Sequence, residues 1–240
     1  MPFITAFLDK STEEGDTTYY KEVYVYDING FSMIPLVLIN DTTIPITDFY
    51  YHWYFYSEYK NFSKGQEYKL KVKHGLGEAN GNVFVPADFQ ILEPEANFTL
   101  LQDSNLYCVW QKAANASWYF FSLDLYYSYT DTNGVTKSFS FSSDSAVYDT
   151  FLVYKRNALF PLDIRHIISG NGAINIRAMD GSTILPGARE NISGEGRGFY
   201  NGANHSGERY FRIVVQGEKP LSSAKESRER LIKKLHRKFL

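Results

Sequence analysis

Residues 191–203 read NISGEGRGFYNGA, with glycines at 194, 196, 198 and 202 around Arg197. Glycines this dense raise the chemistry of phosphate binding. A dinucleotide fingerprint needs Gly-x-Gly-x-x-Gly between a strand and a helix, so that the helix N-terminus meets the pyrophosphate. Here Gly194, Gly196 and Gly198 alternate, and FYNGANHSGERYFRIVVQ follows, which reads as a loop and then a strand. The Gly-Lys-Ser/Thr of a Walker loop is absent. The stretch is therefore expected to be flexible or bulged backbone before the last strand. Arg197 is its one candidate ligand contact, to an anionic group. No cofactor is expected.

A second candidate is DFYYHWYFYSEYKNF at 48–62. Read as one strand, it places Phe49, Tyr51, Trp53 and Phe55 on one face and Tyr50, His52, Tyr54 and Tyr56 on the other. One set belongs in a core. The other needs a cover, from the second module or a partner, or it forms an open platform for sugar rings, since a tyrosine offers an apolar face and a polar tip. Tyr54, Tyr56 and Tyr59 are the residues expected to form such a platform.

Other chemistry finds less support. Glycosidases need two carboxylates about 5 to 10 Å apart, and no spacing singles out a pair among Asp124, Asp149, Asp163 and Asp180. Asp9, Glu13, Glu14 and Asp16 cluster, but the Asp-x-Asp-x-Asp-Gly calcium loop is missing. There is no Gly-x-Ser-x-Gly elbow. The only cysteine, Cys108, alternates with Leu106 and Trp110, which predicts a buried small residue rather than a thiolate. It also excludes an intrachain disulfide. His166 is expected to be packed or exposed rather than catalytic. No metal site is expected, and the chain is read as non-enzymatic.

The 240 residues are 44% hydrophobic and 22% charged, which suits a packed core. Nineteen tyrosines and 18 phenylalanines favour strands. Net charge is −2, so nothing suggests nucleic acid as a partner. Charge is uneven, however. Seven Lys or Arg against two acids put residues 221–240 at +5 and the first 220 at −7. No apolar run reaches the roughly 18 residues of a membrane span. MPFITAFLDK does not read as a signal peptide. The location is thus expected to be cytoplasmic, or extracytoplasmic if an export signal has been removed. Six Asn-x-Ser/Thr sequons start at Asn40, Asn61, Asn97, Asn115, Asn191 and Asn204. In a bacterial source they report only Asn and Ser/Thr crowding turns.

Period-two alternation dominates the elements that must position these residues. EYKLKVKH (67–74), NLYCVWQ (105–111) and RYFRIVVQ (208–215) alternate cleanly. Further strands are expected at 2–8, 19–27, 32–39, 46–57, 82–86, 117–129, 135–142, 147–154 and 173–179. Asn29-Gly30, Asn80-Gly81, Asn133-Gly134 and Gly170-Asn171-Gly172 read as turns. Pro86 and Pro94 mark a boundary within 85–97. The expected fold is all-β: antiparallel β-sandwich modules at 1–90 and 91–217, then a basic amphipathic helix at 218–240. That helix has a Ser223/Glu226 capping box and a Leu231, Leu235, Phe239 stripe. A shorter helix is expected over PLDIRHIIS (161–169).

Residues 93–127, with Pro94, Leu106-x-Cys108-x-Trp110 and Trp118-Tyr119, resemble the opening of a fibronectin type III-like or immunoglobulin-like module of bacterial surface proteins. The first module, with Gly65-x-x-Tyr68-x-Leu70-x-Val72 and Val85-Pro86, is similar to transthyretin-like, carboxypeptidase-regulatory modules. Together they look like bacterial extracytoplasmic lipoproteins. The resemblance implies a non-catalytic surface or envelope module that binds or spaces. A carbohydrate-binding or carbohydrate-active protein using exposed tyrosines is one alternative, and a scaffold recruiting a partner through the tail helix is another. The tail is expected first to pack its apolar stripe on the acidic body, with joining a partner helix and docking on an anionic membrane as alternatives. A protein or glycan partner and a lipid anchor both remain open.

Overall fold

Alternating apolar and polar residues make strands, and the strands of this protein stack into one large sheet faced by two small ones. The computed structural model describes residues 1–13, 16–27, 29–30, 32–183 and 187–214. The expected helix at 218–240 lies outside the described residues. In the first half the strands are β1 (Phe3–Glu13), β2 (Asp16–Tyr26), β3 (Leu36–Ile39), β4 (Thr42–Thr43), β5 (Ile46–Tyr50), β6 (Trp53–Glu58), β7 (Glu67–His74) and β8 (Gly77–Phe84). Next come β9 (Ile91–Glu93), β10 (Thr99–Leu101), β11 (Leu106–Trp110), β12 (Trp118–Asp131), β13 (Thr136–Val147) and β14 (Phe151–Tyr154). A one-turn helix α1 (Arg156–Leu159) precedes β15 (Ile164–Gly181), β16 (Ile192–Gly194) and β17 (Arg197–Val214). The chain is all-β and sandwich-like. Among the described residues no helix is long and apolar enough to cross a membrane.

The large sheet runs β13-β12-β15-β17-β1-β2-β6-β5, with β10 added beside β17. A three-stranded sheet, β14-β11-β9, and a five-stranded sheet, β16-β8-β7-β3-β4, complete the fold. Each small sheet closes one core. Ile4, Leu8, Val23 and Val25 of the large sheet meet Val37, Leu70, Val72 and Val83 of the five-stranded sheet. Phe121, Leu123, Ile174 and Ile176 meet Leu106, Cys108 and Trp110 of the three-stranded sheet. Cys108 is fully buried, and burial pushes its thiol well above the usual range.

Most of one core comes from residues before 90 and most of the other from residues after it, but Ile192 and Tyr200 pack in the first core and the sheet crosses between them. β17 pairs in parallel with β1 along its first half and with β10 along its last residues, while antiparallel β15 lies on its other side. The halves therefore share a central strand, and the last described strand returns to the first. Sequence alternation could not show this, because alternation is blind to which strands are neighbours. Where the cores adjoin, the buried Lys10 faces Asp88 at 3.5 Å, and Asn204 donates to the same carboxylate at 3.2 Å.

Three local expectations need correction. PLDIRHIIS is not helical: β15 begins at Ile164. Ile164 and Ile167 are spaced like a helix stripe, but bulges in the β12–β15 pairing turn both into the core. Gly170-Asn171-Gly172 and Asn80-Gly81 are strand interior rather than turns. A side chain at 172 would meet the Phe211 ring at 2.2 Å, so glycine there admits a large ring across the ladder. Finally, residues 46–57 are not one strand. Tyr51, at φ 42°, turns the chain with His52, and β5 folds back on β6.

Asn-x-Ser/Thr crowding does follow turns at three sites. Asn40, Asn97 and Asn115 all adopt positive φ, a conformation asparagine tolerates. Asn204 is buried against Asp88.

Candidate ligand-binding face

Because both cores lie on the same side of the large sheet, its other side faces away from both small sheets. Period two then decides what that outer face carries. In β2 it carries Tyr20, Glu22, Tyr24 and Tyr26, and in β1 it carries Phe3, Phe7 and Asp9. Register aligns these into rows. Arg197, Phe3, Tyr26, Trp53 and Tyr50 lie abreast. Phe199, Thr5, Tyr24, Phe55 and Asp48 form the next row. Tyr24 stacks on Phe55 with centroids 4.6 Å apart, and Phe3 meets Phe199 edge-on at 5.7 Å. Tyr26 remains 42% exposed and Tyr50 65%.

The hairpin redistributes the tyrosines expected to form a platform. Tyr56 faces inward, is buried, and donates its hydroxyl hydrogen to the Pro35 carbonyl. Burial pushes its phenol well above the usual range. Tyr54 packs partly buried against the first core. Tyr59 is 65% exposed and meets Tyr20 edge-on at 5.4 Å. Arg197 is exposed on the outer face beside Phe3, so it stands at the margin of the aromatic rows. Alternation holds within β6, where Tyr54 and Tyr56 share a face, but pairing beside Val25 and Val23 turns that face inward; the turn at Tyr51 brings Tyr50 beside Trp53 on the other face. Tyr24 and Tyr26 were legible in DTTYYKEVYVY, where alternate positions carry aromatic rings.

The glycine stretch holds no helix N-terminus. Glu195 and Gly196 separate β16 from β17. Its glycines allow backbones to approach. A Cβ at Gly198 would lie 1.8 Å from the Ile4 carbonyl oxygen, and one at Gly202 would lie 2.1 Å from that of Phe84.

Farther along the outer face a cleft of about 400 Å³ opens where the two halves join. Phe7, Tyr20, Glu22 and Asp9 come from β1 and β2. Trp118, Phe120, Arg177, Met179 and Ala203 come from β12, β15 and β17. Asp9 Oδ2 lies 3.6 Å from Arg177 Nη1, while its Oδ1 is buried with no hydrogen-bond partner. Burial drives the Asp9 carboxyl above its ordinary range, against the opposing pull of Arg177 and His205. For an acid whose folded pKa is raised, the stabilising contribution is present below the unfolded pKa and lost as pH rises through the folded one. Asp9→Asn is therefore expected to raise the melting temperature at pH 7 relative to wild type, and the gain should vanish below about pH 4. Paired thermal melts across pH check this. A destabilised variant at pH 7 would show that the Arg177 contact outweighs burial.

Two of the other candidate carboxylates have structural partners. Asp163 pairs with Lys137 at 3.0 Å, and Asp180 accepts the Phe84 amide at 2.7 Å. Among the described residues no group of three or more His, Cys, Asp or Glu could hold a metal ion.

No family model matches the chain, and no curated protein matches it either. Among solved structures it is similar to the fibronectin(III)-like modules of Clostridium thermocellum CbhA. Identity is 11%, covering 89% of this chain and 94% of that one, with a TM-score of 0.27. A likeness at that level leaves function to be read from the residues.

Proposed function

We propose that this protein is a non-catalytic binding module of the bacterial envelope or surface, and that it holds a glycan on the outer face of its large sheet. One observation carries the reading: rows of aromatic rings share the sheet face turned away from both cores, with Tyr26, Tyr50 and Tyr59 exposed. A soluble monomer rarely keeps such a face without a use. Sugar rings stack on tyrosine faces and hydrogen-bond to the phenolic tips. Arg197 at the end of the row would take an acidic substituent. Export places such a module where glycans are displayed, in keeping with the lipoprotein-like resemblance of its modules.

A glycan array and polysaccharide pull-downs test the reading. Wild type is expected to retain at least one polysaccharide without hydrolysing it. Tyr26→Ala/Tyr50→Ala, with an unchanged circular dichroism spectrum, should bind about tenfold more weakly. Silence of the folded wild type on every glycan would end this reading. Protease accessibility of the tagged natural gene product on intact cells tests the location.

A further inference from the structure

The cleft between the halves sets three charged side chains, Asp9, Glu22 and Arg177, among its rings. Asp9 and Arg177 face one another, so their formal charges cancel. His205, which also acts on Asp9, lies 3.3 Å through Nδ1 from Ser11 Oγ. That leaves Glu22. It is partly buried and has no ion pair or hydrogen bond among the described residues. Phe7 of β1 and Ser57 of β6 are its cross-strand partners, and the rings of Tyr20 and Tyr24 flank it along β2. The rest of the cleft is apolar, with Met179 and Ala203 on the strands between the two walls.

A simple anion drawn to Arg177 would meet Asp9 and Glu22 as well. A cation meets one uncompensated carboxylate and the faces of aromatic rings, whose quadrupoles favour positive charge. The acidic body adds a long-range field of the same sense. We propose that the cleft binds a small organic cation, with a quaternary or alkyl ammonium beside Glu22 against Phe7 and Tyr20. Its apolar body lies over Ala203 and Met179 towards Phe120. This site is independent of the glycan reading, since Tyr26 and Tyr50 do not line the cleft.

The probe is choline, compared with its neutral isostere in which carbon replaces the quaternary nitrogen. Both are titrated into the full chain at pH 8, followed by calorimetry and tryptophan fluorescence. Choline is expected to bind at least about tenfold more tightly than the isostere. Glu22→Gln should remove that preference and leave binding of the isostere unchanged. Tyr26→Ala/Tyr50→Ala should leave choline binding intact even where it abolishes glycan binding. Should Glu22→Gln not fold, salt gives the same answer in wild type. Raising NaCl from about 20 to about 500 mM should weaken choline and spare the isostere. Equal affinity for the two probes, indifference to both Glu22→Gln and salt, a preference for acetate, or no saturation by choline would each overturn the proposal.

Discussion

Gly198→Ala is expected to lose about 4 kcal/mol or more of stability, a large share of what holds a domain of this size folded. Two effects add. Gly198 sits at φ +139°, where side chains are strained. Its Cβ would also overlap the Ile4 carbonyl, carbon and amide nitrogen, all within 2.9 Å. Those atoms are backbone in the parallel β1–β17 pair, so they cannot swing aside as a side chain could. Relief would require β1 to leave β17, and the strand joining the two halves would lose its partner. Gly134→Ala is the matched control. It also has positive φ, +82°, but nothing lies within 4 Å of its Cβ, so only about 1 kcal/mol of strain is expected. Urea unfolding of both variants separates the effects. Equal losses would mean that the contact at Ile4 relaxes freely.

Glu58→Gln is expected to cost about 2 kcal/mol near neutral pH. Glu58 is buried at the end of β6, opposite Lys21 of β2. Lys21 Nζ lies 2.7 Å from Oε2, and Lys60 Nζ lies 2.6 Å from Oε1. These hydrogen bonds hold the Glu58 carboxyl below its ordinary range, Lys21 first. For a depressed acid the stabilisation is present above the unfolded pKa and lost as pH falls through the folded one. The gap between wild type and variant should therefore be full above about pH 5 and close on acidification. The second signature is coupling. Lys21→Met/Glu58→Leu should recover much of the loss, because no buried ammonium is then left unpaired. A gap that persists unchanged into acid would assign the effect to shape rather than charge.

Much of the secondary structure was legible. EYKLKVKH alternates so cleanly that β7 occupies those same residues, with Tyr68, Leu70, Val72 and His74 buried. Cys108 between Leu106 and Trp110 was readable as core for the same reason. Errors arose where a local signal had a nonlocal cause. Ile164 and Ile167 mimic a helix stripe because bulges in the neighbouring pairing shift their phase. Gly170 and Gly172 read as a turn, yet they make room for Tyr127 and Phe211 within the ladder. Tyr54 and Tyr56 share a face as alternation requires, but strand pairing turned that face inward; the left-handed turn at Tyr51, without the usual glycine, moved Tyr50 to the face of Trp53.

By itself the sequence determined the all-β class, most strand positions, the acidic body and the abundance of rings, because period and composition are local properties. It also argued against a phosphate cradle at NISGEGRGFYNGA, because a strand rather than a helix follows it, and left Arg197 as its one candidate contact to an anion. Tertiary structure alone decided that β17 joins both halves, which rings share the outer face, and that Glu22 stands uncompensated across a cleft from Trp118 and Phe120. Those are facts of strand order and register. They depend on which backbones hydrogen-bond over long sequence separations, and a one-residue shift in register would send each of those rings to the opposite face.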